Sequence, residues 1–196
     1  MDGQGLDHWQ IALHREEWTQ VAPHLDSLEL ELGRALSNNW PVDVHILGHI
    51  YNGDLADARF VWKRAPKAAQ QVASNQAAFV LLQHLWNKEY QTRWHAINSQ
   101  HWRPETVPLV IAVASKLRGQ TLDLISGAYT SITVEKASTF LGCSADDTLK
   151  AARSQQWELA EDGATLKVTR PPPSQTERSS IKQLQHLSQY VLRLEA

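Results

Sequence analysis

Residues 55–66 read LADARFVWKRAP, with three basic side chains, Arg59, Lys63 and Arg64, set among Phe60, Val61 and Trp62. On a helical wheel Leu55, Ala58, Val61, Trp62 and Ala65 share one arc of about 120°. Ala56 and Phe60 fall on a different side, and the basic residues lie between the two apolar sectors. A surface helix needs one apolar stripe. Two stripes predict a helix sandwiched between neighbours, its basic stems packed along the seams. Helices sit this way in stacked helical repeats, so the stretch predicts an array of antiparallel helices.

The surrounding sequence carries the same signature. In NNWPVDVHILGHIY (38–51), Pro41 suits the first turn of a helix, where a missing N–H is no loss, with Asn39 or Trp40 at the cap. NGD (52–54) is a turn that leads into Leu55. NQAAFVLLQHLW (75–86), KEYQTRWHAI (88–97) and PETVPLVIAVASKLRGQTLDLISGAY (104–129) predict further helices, the last stretch giving one or two. Residues 1–38 show helical periods around Trp9, Leu13 and Leu28–Leu36 without a distinct motif.

The character changes after Tyr129. SIT (131–133) is short and β-like, and VEKASTFLG (134–142) is a compact helix closed by Gly142. Ser144-Ala-Asp-Asp147 is a variant capping box opening ADDTLKAARSQQW (145–157). WELAEDGATLKVTR (157–170) alternates across an Asp162-Gly163 turn, a hairpin signal. Helix, turn, helix and hairpin make a winged helix. The expected fold is therefore mainly α: a helical-repeat region over 1–127 and a winged-helix subdomain over 128–170. A linker (171–180) and a C-terminal helix (181–196) follow. In that helix Ile181, Leu184, Leu187, Val191 and Leu194 recur at spacings of 3, 3, 4 and 3, one apolar stripe. A helix this short is marginal alone in water, while each buried apolar side chain contributes roughly 1.5–3 kcal/mol. The segment is expected to order only against something else, its own domain or partner helices.

Composition narrows the function classes. The 196 residues are 42% hydrophobic and 20% charged, with eight tryptophans, which is a folded chain with many packing sites or a large interface. A net charge of −2 offers no global attraction to nucleic acid or acidic lipid. Cys143 is the single cysteine, so no disulfide framework and no cysteine zinc site are expected. MDGQGLDHW has neither the basic nor the apolar region of a signal peptide, and VPLVIAVA (107–114) is far short of a membrane span. These features predict a soluble, intracellular protein.

Catalytic chemistry finds no support in the motifs. The nine histidines form no H-E-x-x-H or H-x-H pattern; only His45 and His49 stand at i, i+4, with no third ligand at a telling position. No metal and no cofactor are expected, and partly buried or interfacial histidines are the better reading. There is no G-x-S-x-G and no phosphate-binding glycine loop. Cys143 reads as a half-buried residue in a turn, and Ser144 as a cap. Duplex binding by the winged helix is disfavoured too. Asp146 and Asp147 occupy the first turn of the reading helix, and the wing offers only Lys167 and Arg170. A winged helix used for protein assembly fits better than a nucleic-acid binder.

A helical array running into a winged helix and a terminal helix is the arrangement of the PCI domain. WPVDVHILGHIYNGDLADARFVWKRAP (40–66), INSQHW (97–102), AYTSITVEKASTFLG (128–142) and LQHLSQYVLRLE (184–195) resemble, in this order, the PCI family of COP9 signalosome subunit 8. The related small PCI subunits of the proteasome lid and of translation initiation factor 3 are the nearest alternatives. At HWRPE (101–105) the chain departs from the pattern, carrying Arg103-Pro104 where a small capping residue is expected. The resemblance implies a non-catalytic scaffold subunit of the complex that removes NEDD8 from cullins, in cytoplasm and nucleus, with the metalloprotease in another subunit. It also implies hetero-oligomeric partners, PCI subunit 3 nearest. The winged helices would meet edge to edge, and the C-terminal helices would share a bundle. The residues expected at partners are Leu184, Leu187, Val191 and Leu194 in the bundle, and Leu166, Lys167 and Val168 at the winged helix.

Overall fold

The structure, a computed structural model, describes residues 4–32, 39–98, 102–160, 163–169 and Ser188. The chain opens with helices α1 (Gln4–His14) and α2 (Trp18–Leu32). Trp9, Ala12 and Leu13 of α1 are buried at i, i+3, i+4, and Val21, Ala22 and Leu25 of α2 at i, i+1, i+4, one face of each helix. Pro23 lies inside α2 and cannot donate to the carbonyl four residues back. That carbonyl, of Thr19, instead accepts from Asn52 Nδ2 at 3.1 Å.

Helix α3 (Val42–Asn52) is the hub of the molecule. Pro41 stands one residue ahead of it as the N-cap rather than inside the first turn, and Gly53 closes it in the left-handed region at φ 95°. Every residue from Val42 to Ile50 is buried, because α3 packs against α2 and against α4 (Leu55–Arg64), α6 (Ala73–Trp86) and α8 (Val107–Ala128). A Cβ at Gly48 would lie 3.1 Å from the Ala22 nitrogen, so glycine is what lets α2 and α3 approach this closely.

Helix α4 is bordered by α3 and α6. Ala58, Val61 and Ala65 are buried, Leu55 and Trp62 partly so, and Trp62 stacks on Phe79 at 4.2 Å between centroids. The expected second contact is not made: Phe60 is 51% exposed and Ala56 is also on the surface. Among the described residues only one of the two apolar sectors is covered. Of the basic residues, Arg64 does lie along a seam, paired through Nε and Nη2 with the Glu29 carboxylate of α2 at 2.6 and 2.8 Å.

The short α5 (Lys67–Gln70) and α7 (Thr92–Ile97) flank α6, and residues 107–128 form one continuous helix. The first core cluster runs from Trp9 to Leu117. A second takes Leu122 and Ile125 from the end of α8, and adds Ile132, Ala137, Leu141, Ala152, Trp157 and Leu166.

That second core belongs to the winged helix: β1 (Ser131–Thr133), α9 (Val134–Leu141), α10 (Ala145–Ser154), β2 (Glu158–Leu159) and β3 (Thr165–Lys167). The sheet is antiparallel in the order β1-β3-β2, with Ile132 opposite Leu166 and Leu159 opposite Leu166 from the other side. Strand β3 is therefore central, and the outer strands are β1 and β2.

Candidate interaction surfaces and the polar clusters behind them

The winged helix is held to the array by a cationic clamp on the C-terminus of α9. The last carbonyls of a helix have no partner within it and carry its negative end. Trp94 Nε1 donates to the Phe140 carbonyl at 2.9 Å, Arg93 Nη2 donates to the same oxygen at 3.3 Å, and Arg118 Nε reaches Leu141 O at 3.3 Å. The Arg93 guanidinium also donates to Thr121 Oγ1 at 2.6 Å and lies 4.9 and 4.8 Å from the Tyr90 and Trp94 ring centroids. Burial lowers the Arg93 pKa from its ordinary value, and Tyr90 acts in the opposite direction. Gly142 completes the clamp. It caps α9 at φ 62°, and a Cβ there would overlap the Trp94 indole, so two independent constraints exclude a side chain.

The reading helix α10 is closed to anions at its N-terminus. Ser144 Oγ accepts from Asp147 N at 3.2 Å and donates to Asp147 Oδ2 at 2.8 Å, the variant of the capping box expected from the sequence, in which the carboxylate meets the cap hydroxyl. The Ser144 hydroxyl and Lys150 hold the Asp147 carboxyl below its usual range. Negative charge thus sits where a phosphate would bind, against duplex recognition. Cys143, half-buried in the α9–α10 turn, lies 3.4 Å from Thr148 Oγ1.

The wing residues chosen from the sequence fare unequally. Leu166 is 1% exposed and packs into the winged-helix core, so as a direct partner contact it is corrected to a core residue. The alternation does mark a strand, but β1, some thirty residues upstream, covers the flank of β3 that would otherwise be free. Lys167 is exposed, and Val168 is half-buried with its N–H donated to Thr130 O at 2.9 Å. The exposed apolar residue on an outer strand is Leu159, at 48%. Leu184, Leu187, Val191 and Leu194 lie outside the described residues.

Two polar clusters escaped the sequence reading. Asp43, fully buried on α3, receives Ser74 Oγ, the Arg103 guanidinium through two nitrogens and its neighbour's N–H from Val44. This bond is what raises the Arg103 pKa, and it gives the departure at HWRPE a physical purpose. The second cluster joins His45 and His49 to Asp26 of α2, a third potential ligand. Trp40 Nε1 donates to His45 Nδ1 at 3.2 Å, and His45 Nε2 lies 2.9 Å from Asp26 Oδ1. An indole nitrogen can only donate, so Nδ1 is the acceptor and Nε2 carries the proton toward Asp26. A metal on Nε2 would reverse this arrangement and set two donors face to face, so the site suits a hydrogen-bonded pair better than an ion. His49 Nε2 is 3.3 Å from the same oxygen, off the hydrogen-bond direction, and is buried without a hydrogen-bond partner among the described residues. Burial lowers the His49 pKa, His45 adds to the effect, and Asp26 and Asp57 oppose it. For Asp26, burial raises the pKa, but the two histidines outweigh it and the net direction is down.

The CSN8/PSMD8/EIF3K family matches residues 36–178, well over half the chain. The chain belongs to this family. Among curated relatives, it is similar to COP9 signalosome complex subunit 8 of Arabidopsis thaliana, 28% identical over 188 residues, 94% of this chain and 95% of the relative. The protein of the same name from Dictyostelium discoideum is 32% identical over 159 residues, 78% of each chain. That from Xenopus tropicalis is 28% identical over 189 residues, covering 94% and 97%. The family match takes in α3 to β3, and so includes the clamp, the wing and both polar clusters except Asp26.

Proposed function

We propose that this chain is a non-catalytic scaffold subunit of the COP9 signalosome, the complex that removes NEDD8 from cullins of cullin-RING ubiquitin ligases. It acts by assembly, with PCI subunit 3 as nearest neighbour, in cytoplasm and nucleus, and the metalloprotease resides in another subunit. The observation that carries the reading is end-to-end similarity to proteins bearing the signalosome name, on a chain whose winged helix closes its reading helix with Asp146 and Asp147. The winged helix contributes an outer sheet strand and the exposed Lys167, with Val168 beside it, while Leu166 supports them from within. The C-terminal stripe of Leu184, Leu187, Val191 and Leu194 enters a shared helical bundle.

The family name also spans proteasome-lid and initiation-factor subunits, so the same architecture in one of those complexes is the second reading. The signalosome is preferred because the relatives described above carry its name. Changing Leu184, Leu187, Val191 and Leu194 together to Ala is expected to release the subunit from the complex while its circular dichroism stays nearly the same. Unchanged incorporation would remove the bundle assignment. Charge reversal at Lys167 tests the wing separately, with weakened pairing expected.

A further inference from the structure

The apolar sector of α4 that the described residues leave open continues onto α6 and forms a surface of unusual make-up. Phe60 is 51% and Trp86 49% exposed, and each carries a cation over its ring: Lys63 Nζ lies 5.8 Å from the Phe60 centroid, and Arg59 Cζ 5.2 Å from that of Trp86. Arg59 and Lys63 stand at i, i+4, so the four side chains form a row from Trp86 to Phe60. Beside the row a depression is lined by Arg59, Phe79, Leu82, Gln83, Trp86 and Asn87, with no carboxylate among them.

Among the described residues the charge on this face is uncompensated. Asp57, one of the acids next to it in sequence, turns the other way and approaches His49. Helix α6 contains no acidic residue, and Glu29 is taken by Arg64. Among the described residues neither Arg59 nor Lys63 has a carboxylate partner. Exposed aromatics under unpaired cations, beside an apolar depression, are the composition of a recognition surface. Two cations are too few to hold a nucleic acid, whose affinity depends on many phosphate contacts, and the apolar depression would be idle there.

We propose that the α4–α6 face docks an acidic segment of a partner protein: one large apolar side chain seated in the depression floored by Phe79 and Leu82 beside the Arg59–Trp86 pair, with Asp or Glu within a few residues engaging Arg59 and Lys63. The surface is built from other residues than the wing and the C-terminal stripe, and the proposal stands whichever complex the partner belongs to.

The test replaces Phe60 by the photo-crosslinking analogue p-benzoylphenylalanine in the full-length chain, expressed in its native cell, with the same substitution at exposed Ile111 of α8 as the reference position. After irradiation the crosslinked peptides are sequenced by mass spectrometry. The expected partner segment is net acidic, contains a large apolar residue and is captured well above the Ile111 reference. Its yield should fall at least about tenfold on charge reversal by Arg59→Glu with Lys63→Glu, and comparably in Trp86→Ala. All of these side chains are on the surface, so folding is retained, as circular dichroism will verify. Capture no better than at Ile111 would overturn the proposal. So would crosslinks to a second copy of this chain, to its own C-terminal segment, to nucleic acid or to segments without acidic residues, or a yield unmoved by the charge reversal.

Discussion

Helices α3 and α4 are neighbours of nearly equal length, 11 and 10 residues, with opposite fates. Nine consecutive residues of α3 are buried, three of them Asp43, His45 and His49. Helix α4 buries Ala58 and Val61 within its span and leaves Phe60 half in water. Local apolar pattern singles out α4 as the enclosed helix, yet α3 is the enclosed one. The number of neighbours decides: among the described residues α3 touches α2, α4, α6 and α8, whereas α4 has only α3 and α6 as substantial contacts. Enclosure then tolerates polar residues on α3 because each of Asp43 and His45 has a specific partner.

The largest difference between the two helices is expected at Asp43. Arg103→Met would strand a buried carboxylate, and removing one partner of a fully buried ion pair costs about 3–5 kcal/mol. Because the Arg103 side chain retains 39% exposure, the expected loss is lower, about 2–3 kcal/mol by urea unfolding. A loss below about 1 kcal/mol would mean that water reaches Asp43 and that α3 is not enclosed. Next, the two sides of α4 should separate cleanly. Val61→Ala removes fully buried methyl groups and is expected to cost about 2 kcal/mol. His49 gives a smaller, pH-dependent effect. Its pKa is depressed in the folded state, so on acidification the unfolded chain takes up its proton first. Stability is therefore fully present above the ordinary imidazole value of about 6.5 and declines as pH falls toward the folded pKa. His49→Gln should flatten that slope, while the contribution of Asp26, also depressed, is lost only at lower pH. A slope that persists in His49→Gln would assign it to another group. Smallest of all, Phe60→Ala should stay within about 0.5 kcal/mol of the parent, as surface substitutions do. A loss equal to that of Val61→Ala would show that the second sector of α4 is covered after all.

What could be seen in the sequence was local. Ser144 and Gly142 announce helix ends through their own backbone chemistry, and both stand where expected. The NGD turn likewise delivers Gly53 as the cap of α3. Contacts made at long range had no local signal. Asp26 meets His45 across 19 residues, Arg93 meets Phe140 across 47, and Arg103 meets Asp43 across 60. The wing illustrates the middle case. Alternation at 165–167 correctly indicates a strand, but a three-residue β1 gives no hint that it pairs with β3, so Leu166 reads as a free contact when it is core. Pro23 is a further instance: its missing hydrogen bond is legible, and the donor that replaces it, Asn52 on another helix, is not.

A subunit that acts by assembly is tested most directly by the stoichiometry of its native complex. The chain would be tagged in its own cell, purified at moderate salt, and its companions quantified by mass spectrometry. Recovery of signalosome subunits in matched amounts, PCI subunit 3 among them, is the predicted result. Recovery with proteasome-lid or initiation-factor subunits, or with no stoichiometric companion at all, would contradict it.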